Sequence, residues 1–114
     1  MKTLSQEAHW AVQTWLASGQ KTEEDTAVLF HSWNAQKRYL DHLVASFGHP
    51  QALHAVAIKT QPHPAILKQV VEWGFGLEAA SMEEVHLALQ AGCPPERIVF
   101  DSPVKTRAEI AFCQ

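Results

Sequence analysis

Lys59 is the residue in this sequence whose position most clearly indicates covalent chemistry. It ends a stiff, mostly apolar run at residues 54–59, and a polar stretch with two prolines follows directly. This pattern predicts an amine at the point where a strand opens into a loop. Partial desolvation there would favour the neutral amine, which can attack a carbonyl carbon. The pattern therefore suggests Schiff-base chemistry at Lys59. The alternative is an ordinary strand-end lysine whose ammonium group reaches water.

Further polar side chains are expected at the same edge of the predicted sheet. In parallel α/β folds the functional face lies at the carboxyl ends of the strands. One amine, two carboxylates and hydroxyls on that edge would suit a polar, charged small molecule. Ser81 is better explained as a helix cap than as a ligand, whereas Glu78 interrupts an apolar strand, where a buried carboxylate needs a partner. The candidates are Lys59, Glu78, Ser81, Asp101 and Ser102, with His63 in the loop after Lys59.

The first half of the sequence predicts two helices and one strand. Apolar residues recur at helical spacing between Leu4 and Leu16, and residues 20–25 form a polar connector. Residues 27–31 are a short continuous apolar run that predicts a strand. The apolar pattern from Trp33 to Phe47 predicts a second helix, which Gly48 would end.

From residue 54 the sequence repeats a strand followed by a helix, with a period of roughly 21 residues. The repeated strands are predicted at 54–59, 77–80 and 97–101. Pro64 opens the first helix, and capping boxes at 81–84 and 106–109 open the next two. The last of these helices is only beginning where the sequence stops.

This alternation predicts an α/β fold with a parallel sheet, because parallel neighbours need crossover connections. Doubly wound and barrel folds both fit, but three or four units cannot close an eight-stranded barrel. An uncovered hydrophobic sheet edge is an aggregation hazard. We therefore expect either the front part of a larger barrel or a barrel that a partner completes. Residues 1–25 are predicted to form an N-terminal helix and connector, and residues 26–114 a truncated barrel.

Composition excludes several classes of protein. The formal net charge is −3, and the nine Lys and Arg residues are scattered, which argues against nucleic acid as a partner. No stretch has the length of a transmembrane helix, and the N-terminus lacks the apolar region of a signal peptide. Cys93 and Cys113 are too few for a disulfide framework or a zinc site. The seven histidines show no H-E-x-x-H spacing, so a metal hydrolase is disfavoured. A soluble, cytoplasmic protein without a metal is expected.

Residues 54–114 resemble the N-terminal part of the barrel in the pyridoxal-phosphate-dependent ornithine, diaminopimelate and arginine decarboxylases, which have the alanine-racemase-like fold. The family pattern of an aromatic residue followed by Ala-Val-Lys-Ala/Cys-Asn is similar to residues 57–61. Its Pro/Leu-Ala-Val-Leu is similar to residues 64–67, and its Gly-x-Gly-aromatic-Asp-x-x-Ser-x-x-Glu to residues 74–84. Its Pro-Pro-Glu-Arg-Ile, followed by a strand, Pro and Lys, is similar to residues 94–105.

The resemblance implies a partial barrel of the TIM or alanine-racemase-like type and pyridoxal 5'-phosphate as cofactor. Lys59 would carry the cofactor as a Schiff base, and Glu78 would contact the cofactor or Lys59. The sequence departs from the family pattern at Gln61, at Glu78 and at Ser102, where the family has asparagine, aspartate and asparagine.

For the whole protein, the resemblance implies decarboxylation of a basic or dibasic amino acid such as ornithine, lysine, arginine or diaminopimelate. The full-length protein would be a homodimer that acts on a small-molecule substrate, with no nucleic acid or membrane partner. The family's glycine-rich phosphate loop, its ring-stacking histidine and its C-terminal β-domain are not among these 114 residues. The alternative is therefore a non-catalytic truncated barrel that acts as an interaction module or an inactive remnant.

Overall fold

The computed structural model describes residues 2–114 and divides into two compact units, Met1–His49 and Pro50–Gln114. Each unit is described by itself. Among the described residues, no helix combines the length and apolar character needed to cross a membrane.

The first unit contains two helices, α1 (Leu4–Ala17) and α2 (Trp33–Phe47). The predictions of both helices are confirmed. Thr3 and Gln6 form a capping box at the start of α1, and the Ser32 hydroxyl accepts from the Ala35 amide at the start of α2. Gly48 follows α2 with φ 65°, the left-handed conformation that lets a chain leave a helix.

The predicted strand at residues 27–31 is wrong. These residues form an irregular segment, and Leu29 is 95% exposed. A strand needs a neighbour that pairs with its amides and carbonyls, and the described elements of this unit are both helices. Phe30 instead packs edge-on against Trp15, with ring centroids 6.0 Å apart. The apolar side chains of this run therefore pack against a helix, and its backbone does not pair with another strand.

A small polar cluster links α1 to the start of α2. The Ser32 hydroxyl donates to Oε2 of Glu7 at 2.9 Å, and the Arg38 guanidinium donates twice to Oε1 at 3.3 Å. The hydrogen bond from Ser32, helped by Arg38, holds the pKa of Glu7 below its ordinary value.

The second unit is built on three parallel strands, and its sequence-predicted strands are all present. The first and third are shorter than predicted, and the second begins and ends one residue earlier. The sheet order is β1-β2-β3. A 3-10 turn, Ile58–Thr60, follows β1 directly and includes the last two residues of the predicted first strand. The elements are β1 (Ala55–Ala57), α3 (Pro64–Glu72), β2 (Gly76–Ala79), α4 (Met82–Gln90), β3 (Ile98–Phe100) and α5 (Arg107–Cys113).

One face of this sheet is buried and the other is open. Leu77 and Ala79 are fully buried, and both α3 and α4 contact β2. Because the strand order never reverses, right-handed crossovers place both connecting helices on the same face. The side chains between these buried positions, such as Glu78, belong to the opposite face, where they are only half-buried. This arrangement is compatible with part of a barrel.

Gly76 has a steric reason to be glycine. A Cβ atom added there would collide with the carbonyl oxygen of Arg97 and would lie 3.2 Å from a methyl carbon of Leu53. The backbone before β3 therefore approaches β2 too closely for any side chain at this position. Gly74, with φ 90°, makes the turn after α3. The Gly-x-Gly segment is thus a turn followed by a strand start.

Shortening Leu77 should test the core of the second unit. Leu77→Ala removes a fully buried side chain from the central strand, so we expect the free energy of unfolding to fall by about 2–5 kcal/mol. Leu29→Ala, at a 95% exposed position, is the control and should change little. Urea denaturation of both variants measures the difference, and equal effects would contradict the assigned core.

The Glu7 cluster should make stability depend on pH. A carboxyl whose pKa is lowered by folding stabilises the native state above its unfolded value, about 4.3, and loses this effect as pH falls. Glu7→Gln should therefore lower the melting temperature at pH 7 and should lose that difference progressively below about pH 4.3. Glu23→Gln, in the exposed connector, is the control. A Glu7→Gln difference that does not change with pH would refute this role.

Candidate functional site

The hydrogen-bond ladder between β1 and β2 stops at the carboxyl edge of the sheet. The Gly76 amide donates to the His54 carbonyl at 2.9 Å, which fixes the register in which Ala57 lies beside Glu78. In a parallel pair, bonds to one strand recur every two residues, so the ladder would next join the Ala80 amide to the Ile58 carbonyl. That bond is replaced by two local ones. The Ile58 carbonyl accepts from the Gln61 amide at 3.0 Å, and the Ala80 amide donates to the Glu84 carboxylate.

The two strand ends are consequently released from one another at this point. On the other side of β2 the ladder continues, because the Asp101 amide donates to the Ala79 carbonyl at 2.9 Å. The sheet thus opens selectively between β1 and β2, and this is where the sequence placed its candidate amine.

Lys59 lies in the 3-10 turn at the end of β1, as the sequence predicted for a strand-to-loop position. The residue is exposed, so the partial desolvation that the sequence suggested is absent in this chain. Within residues 2–114, Lys59 forms no salt bridge, whereas Lys37, Arg38 and Lys68 each pair with a carboxylate. Its ammonium is therefore available to an incoming molecule.

Glu78 lies on the strand beside Lys59. It pairs in register with Ala57, two residues before Lys59, and with Val99 on β3. The carboxylate is half-buried, less than the sequence argument assumed, and makes no salt bridge with Lys59 in the described part of the chain. The structure thus brings one amine and one carboxylate to adjacent strands at the same edge.

Glu84 is a residue whose role the sequence only partly revealed. The capping box at 81–84 predicts that Ser81 accepts from the Glu84 amide, and this bond is present at 3.2 Å. The Glu84 carboxylate, however, accepts from the Ala80 amide and not from the N-cap amide that a capping box uses. It takes the place of the missing strand partner, which only the register of β1 and β2 could reveal.

The remaining candidates serve the backbone. Ser81 caps α4, and the ring nitrogen Nδ1 of His63 accepts from the Ala65 amide at the start of α3. The Ser102 hydroxyl donates to the Val104 carbonyl at 2.7 Å. Asp101 is exposed and continues the ladder with its amide. These side chains organise the loops after the strands, and none of them forms a hydrogen bond or ion pair with Lys59.

The residues at this edge suit the aldehyde end of a cofactor better than its phosphate. An unpaired exposed amine is the group that an aldehyde needs. Positive-φ glycines, which can shape phosphate loops, occur in the described residues only after helices, at Gly19, Gly48, Gly74 and Gly92. A phosphate cradle belongs at a helix start, where amides are free, so these glycines do not form one.

A separate cavity of about 910 Å³ lies in the first unit and contains none of the candidate residues. Its lining includes the Glu7–Arg38 pair and the indoles of Trp10 and Trp33. The sequence analysis placed Trp33 on a helix and did not single out Trp10, and no motif indicates a cavity there.

Comparison with known protein families identifies the family of this chain. The family model for pyridoxal-dependent decarboxylases, pyridoxal binding domain, matches residues 34–114. The match covers most of the chain, so the chain belongs to this family, whose cofactor is pyridoxal phosphate. The resemblance noted in the sequence is thereby confirmed.

Individual relatives agree with the family assignment. The chain is 35% identical over 86 residues to a diaminopimelate decarboxylase of Zymomonas mobilis, covering 75% of this chain and 20% of that protein. It is 41% identical over 61 residues to a diaminopimelate decarboxylase of Aquifex aeolicus, covering 54% and 14%. It is 36% identical over 56 residues to a chloroplastic ornithine decarboxylase of Nicotiana glutinosa, covering 49% and 13%. The chain thus spans a fifth or less of the length of these relatives. No solved structure matches it significantly.

Replacing Glu84 should show what holds the end of β2. Glu84→Ala leaves the Ala80 amide without its acceptor, so we expect the free energy of unfolding to fall by about 1–3 kcal/mol. Glu84→Gln keeps an acceptor oxygen, so its free energy of unfolding should fall less. Glu83→Ala is the matched control, since Glu83 is exposed in the same helix turn. Equal denaturation midpoints for Glu83→Ala and Glu84→Ala would contradict the role.

Proposed function

We propose that this chain is the N-terminal part of a pyridoxal-phosphate-dependent decarboxylase acting on a basic or dibasic amino acid of the ornithine, lysine, arginine or diaminopimelate class. The observation that carries the proposal is the unpaired Lys59 amine at the opening between β1 and β2, in a chain of the pyridoxal-binding family. Names of relatives supply the substrate class, because they include diaminopimelate and ornithine decarboxylases.

In this proposal Lys59 is the residue that holds the cofactor through its Nζ atom. The bound pyridoxal phosphate would supply an electron sink for the loss of the substrate carboxylate as carbon dioxide. The protein's own contribution begins with position, since the turn at Ile58–Thr60 fixes the backbone that carries the amine. The exposed edge admits the aldehyde, and no carboxylate in residues 2–114 competes for the ammonium as a salt-bridge partner.

Glu78 is proposed to contact the cofactor or to orient Lys59. Its support is positional: it lies on the adjacent strand, on the open face, and is half-buried. A carboxylate on the adjacent strand would attract the Lys59 ammonium and so bias the direction of its side chain.

The open face of the sheet supports a partial barrel of the TIM or alanine-racemase-like type. Singly wound parallel strands with helices on one face are the repeating unit of such barrels, whose centre is filled by the other face. The barrel domain would begin near residue 26, after the N-terminal helix and connector. Further strands would cover Glu78 and its neighbours, and would contribute the phosphate site. The full-length protein would be a cytoplasmic homodimer.

A second function is supported by what this edge lacks. The described residues provide no glycine loop at a helix start for the phosphate group. The 114-residue chain by itself would then be a non-catalytic module that pairs with a partner through its open sheet edge. This alternative predicts that the chain does not bind the cofactor selectively.

Reductive trapping should distinguish the two functions. The 114-residue chain is mixed with pyridoxal phosphate and treated with borohydride, and the modified lysines are mapped by peptide mass. Cofactor binding predicts that Lys59 is modified at least about tenfold more than Lys68, a selectivity equal to ~1.4 kcal/mol. Lys59→Arg should abolish this adduct, and Lys68→Arg is the matched control on an exposed helix position. Even modification of all exposed lysines would support the interaction module.

A further inference from the structure

The side chain of Thr60 closes the turn that carries Lys59. Its hydroxyl donates to the Ala57 carbonyl at 2.8 Å. A second hydrogen bond, from the Gln61 amide to the Ile58 carbonyl at 3.0 Å, also closes this turn. Lys59 therefore lies between two consecutive hydrogen bonds, one from a side chain and one from the backbone.

The Ala57 carbonyl that Thr60 contacts faces away from β2. Backbone groups along a strand alternate between its two sides, and the His54 carbonyl faces β2, since it accepts from the Gly76 amide. Ala57, three residues later, has the opposite orientation. No strand in the described residues lies on that side of β1, so the Ala57 carbonyl has no ladder partner there and accepts from the Thr60 hydroxyl.

This bond depends on the particular residue after the lysine. The family pattern that residues 57–61 resemble has alanine or cysteine at this place, and neither provides a hydroxyl. Threonine gives the turn a donor, and its β-branch restricts χ1, which reduces the number of conformations the donor explores. The turn at Lys59 is thus fixed by a side chain and not by the backbone alone.

We propose that Thr60 is a positioning residue for Lys59, so that its hydroxyl holds the strand-end turn in the conformation from which the amine meets an aldehyde. This inference rests on the proposed function of Lys59. Loss of one neutral hydrogen bond shifts a conformational equilibrium by about two- to tenfold. The same factor is the expected change in the reactivity of the amine.

The test compares Thr60→Val with Thr60→Ser. Valine keeps the β-branch and size but removes the donor, whereas serine keeps the donor. For each chain, the initial rate of borohydride-trapped modification by pyridoxal phosphate is measured at Lys59 and at Lys68. Hydrogen exchange of the Gln61 amide, which reports the closure of the turn, is measured without the cofactor. Thr60→Ala replaces valine in the comparison if the valine variant does not fold.

The proposal predicts that Thr60→Val slows modification of Lys59 by about two- to tenfold, speeds exchange at Gln61 and leaves Lys68 unchanged. Thr60→Ser should stay close to the wild type in all three measurements. Wild-type rates at Lys59 in the valine variant, or an equal loss in the serine variant, would overturn the positioning role while the proposed function stands. Absence of a preferred adduct at Lys59 in the wild-type chain would instead refute selective cofactor binding by this chain, on which the inference rests, and would support the interaction module.

Discussion

The place where the ladder between β1 and β2 ends determines the geometry of the candidate site. Buried amides and carbonyls must be paired, so a strand can leave its neighbour only where other groups take over its hydrogen bonds. Gln61 does this for the Ile58 carbonyl and Glu84 for the Ala80 amide. The opening that results is bordered by backbone whose hydrogen bonds are satisfied. It is therefore a stable feature of this edge and not a frayed strand end.

The same constraint explains why the candidate site residues lie at one edge of the sheet. Leu77 and Ala79 are buried on the face of β2 that packs against the helices, and Gly76 lets the backbone before β3 approach β2 closely. These contacts pack the centre of the unit, while caps and turn bonds from Ser81, His63 and Ser102 organise the loops after the strands. Lys59 and Glu78 form no salt bridge in the described residues, so a ligand at this edge meets two uncompensated polar side chains.

The family match and the structure support different parts of the functional conclusion. The match over residues 34–114 establishes the pyridoxal-dependent decarboxylase family. The structure explains how the part of the family present in this chain can offer an amine, and why the phosphate of the cofactor needs groups that these glycines do not provide. The chain spans a fifth or less of the length of the relatives that it matches, so the substrate and the assembly are parts of the proposal and not of the family assignment.

Local patterns in the sequence were sufficient to predict the helices, the repeat and the order of the elements. Caps at Ser81 and Thr106, the glycine after Phe47 and the periodic apolar residues act over a few positions, and their physical basis does not require the rest of the chain. The same reasoning placed Lys59 at a strand end. It failed at residues 27–31, because an apolar run becomes a strand only if a neighbour pairs with it. Tertiary structure alone decided the length of β1, the half-exposure of Glu78 and the use of Thr60 and Glu84 at the opening. The length of β1 and the exposure of Glu78 depend on the pairing of strands that are about 20 residues apart in sequence. The bonds of Thr60 and Glu84 are local, and they act where that pairing ends.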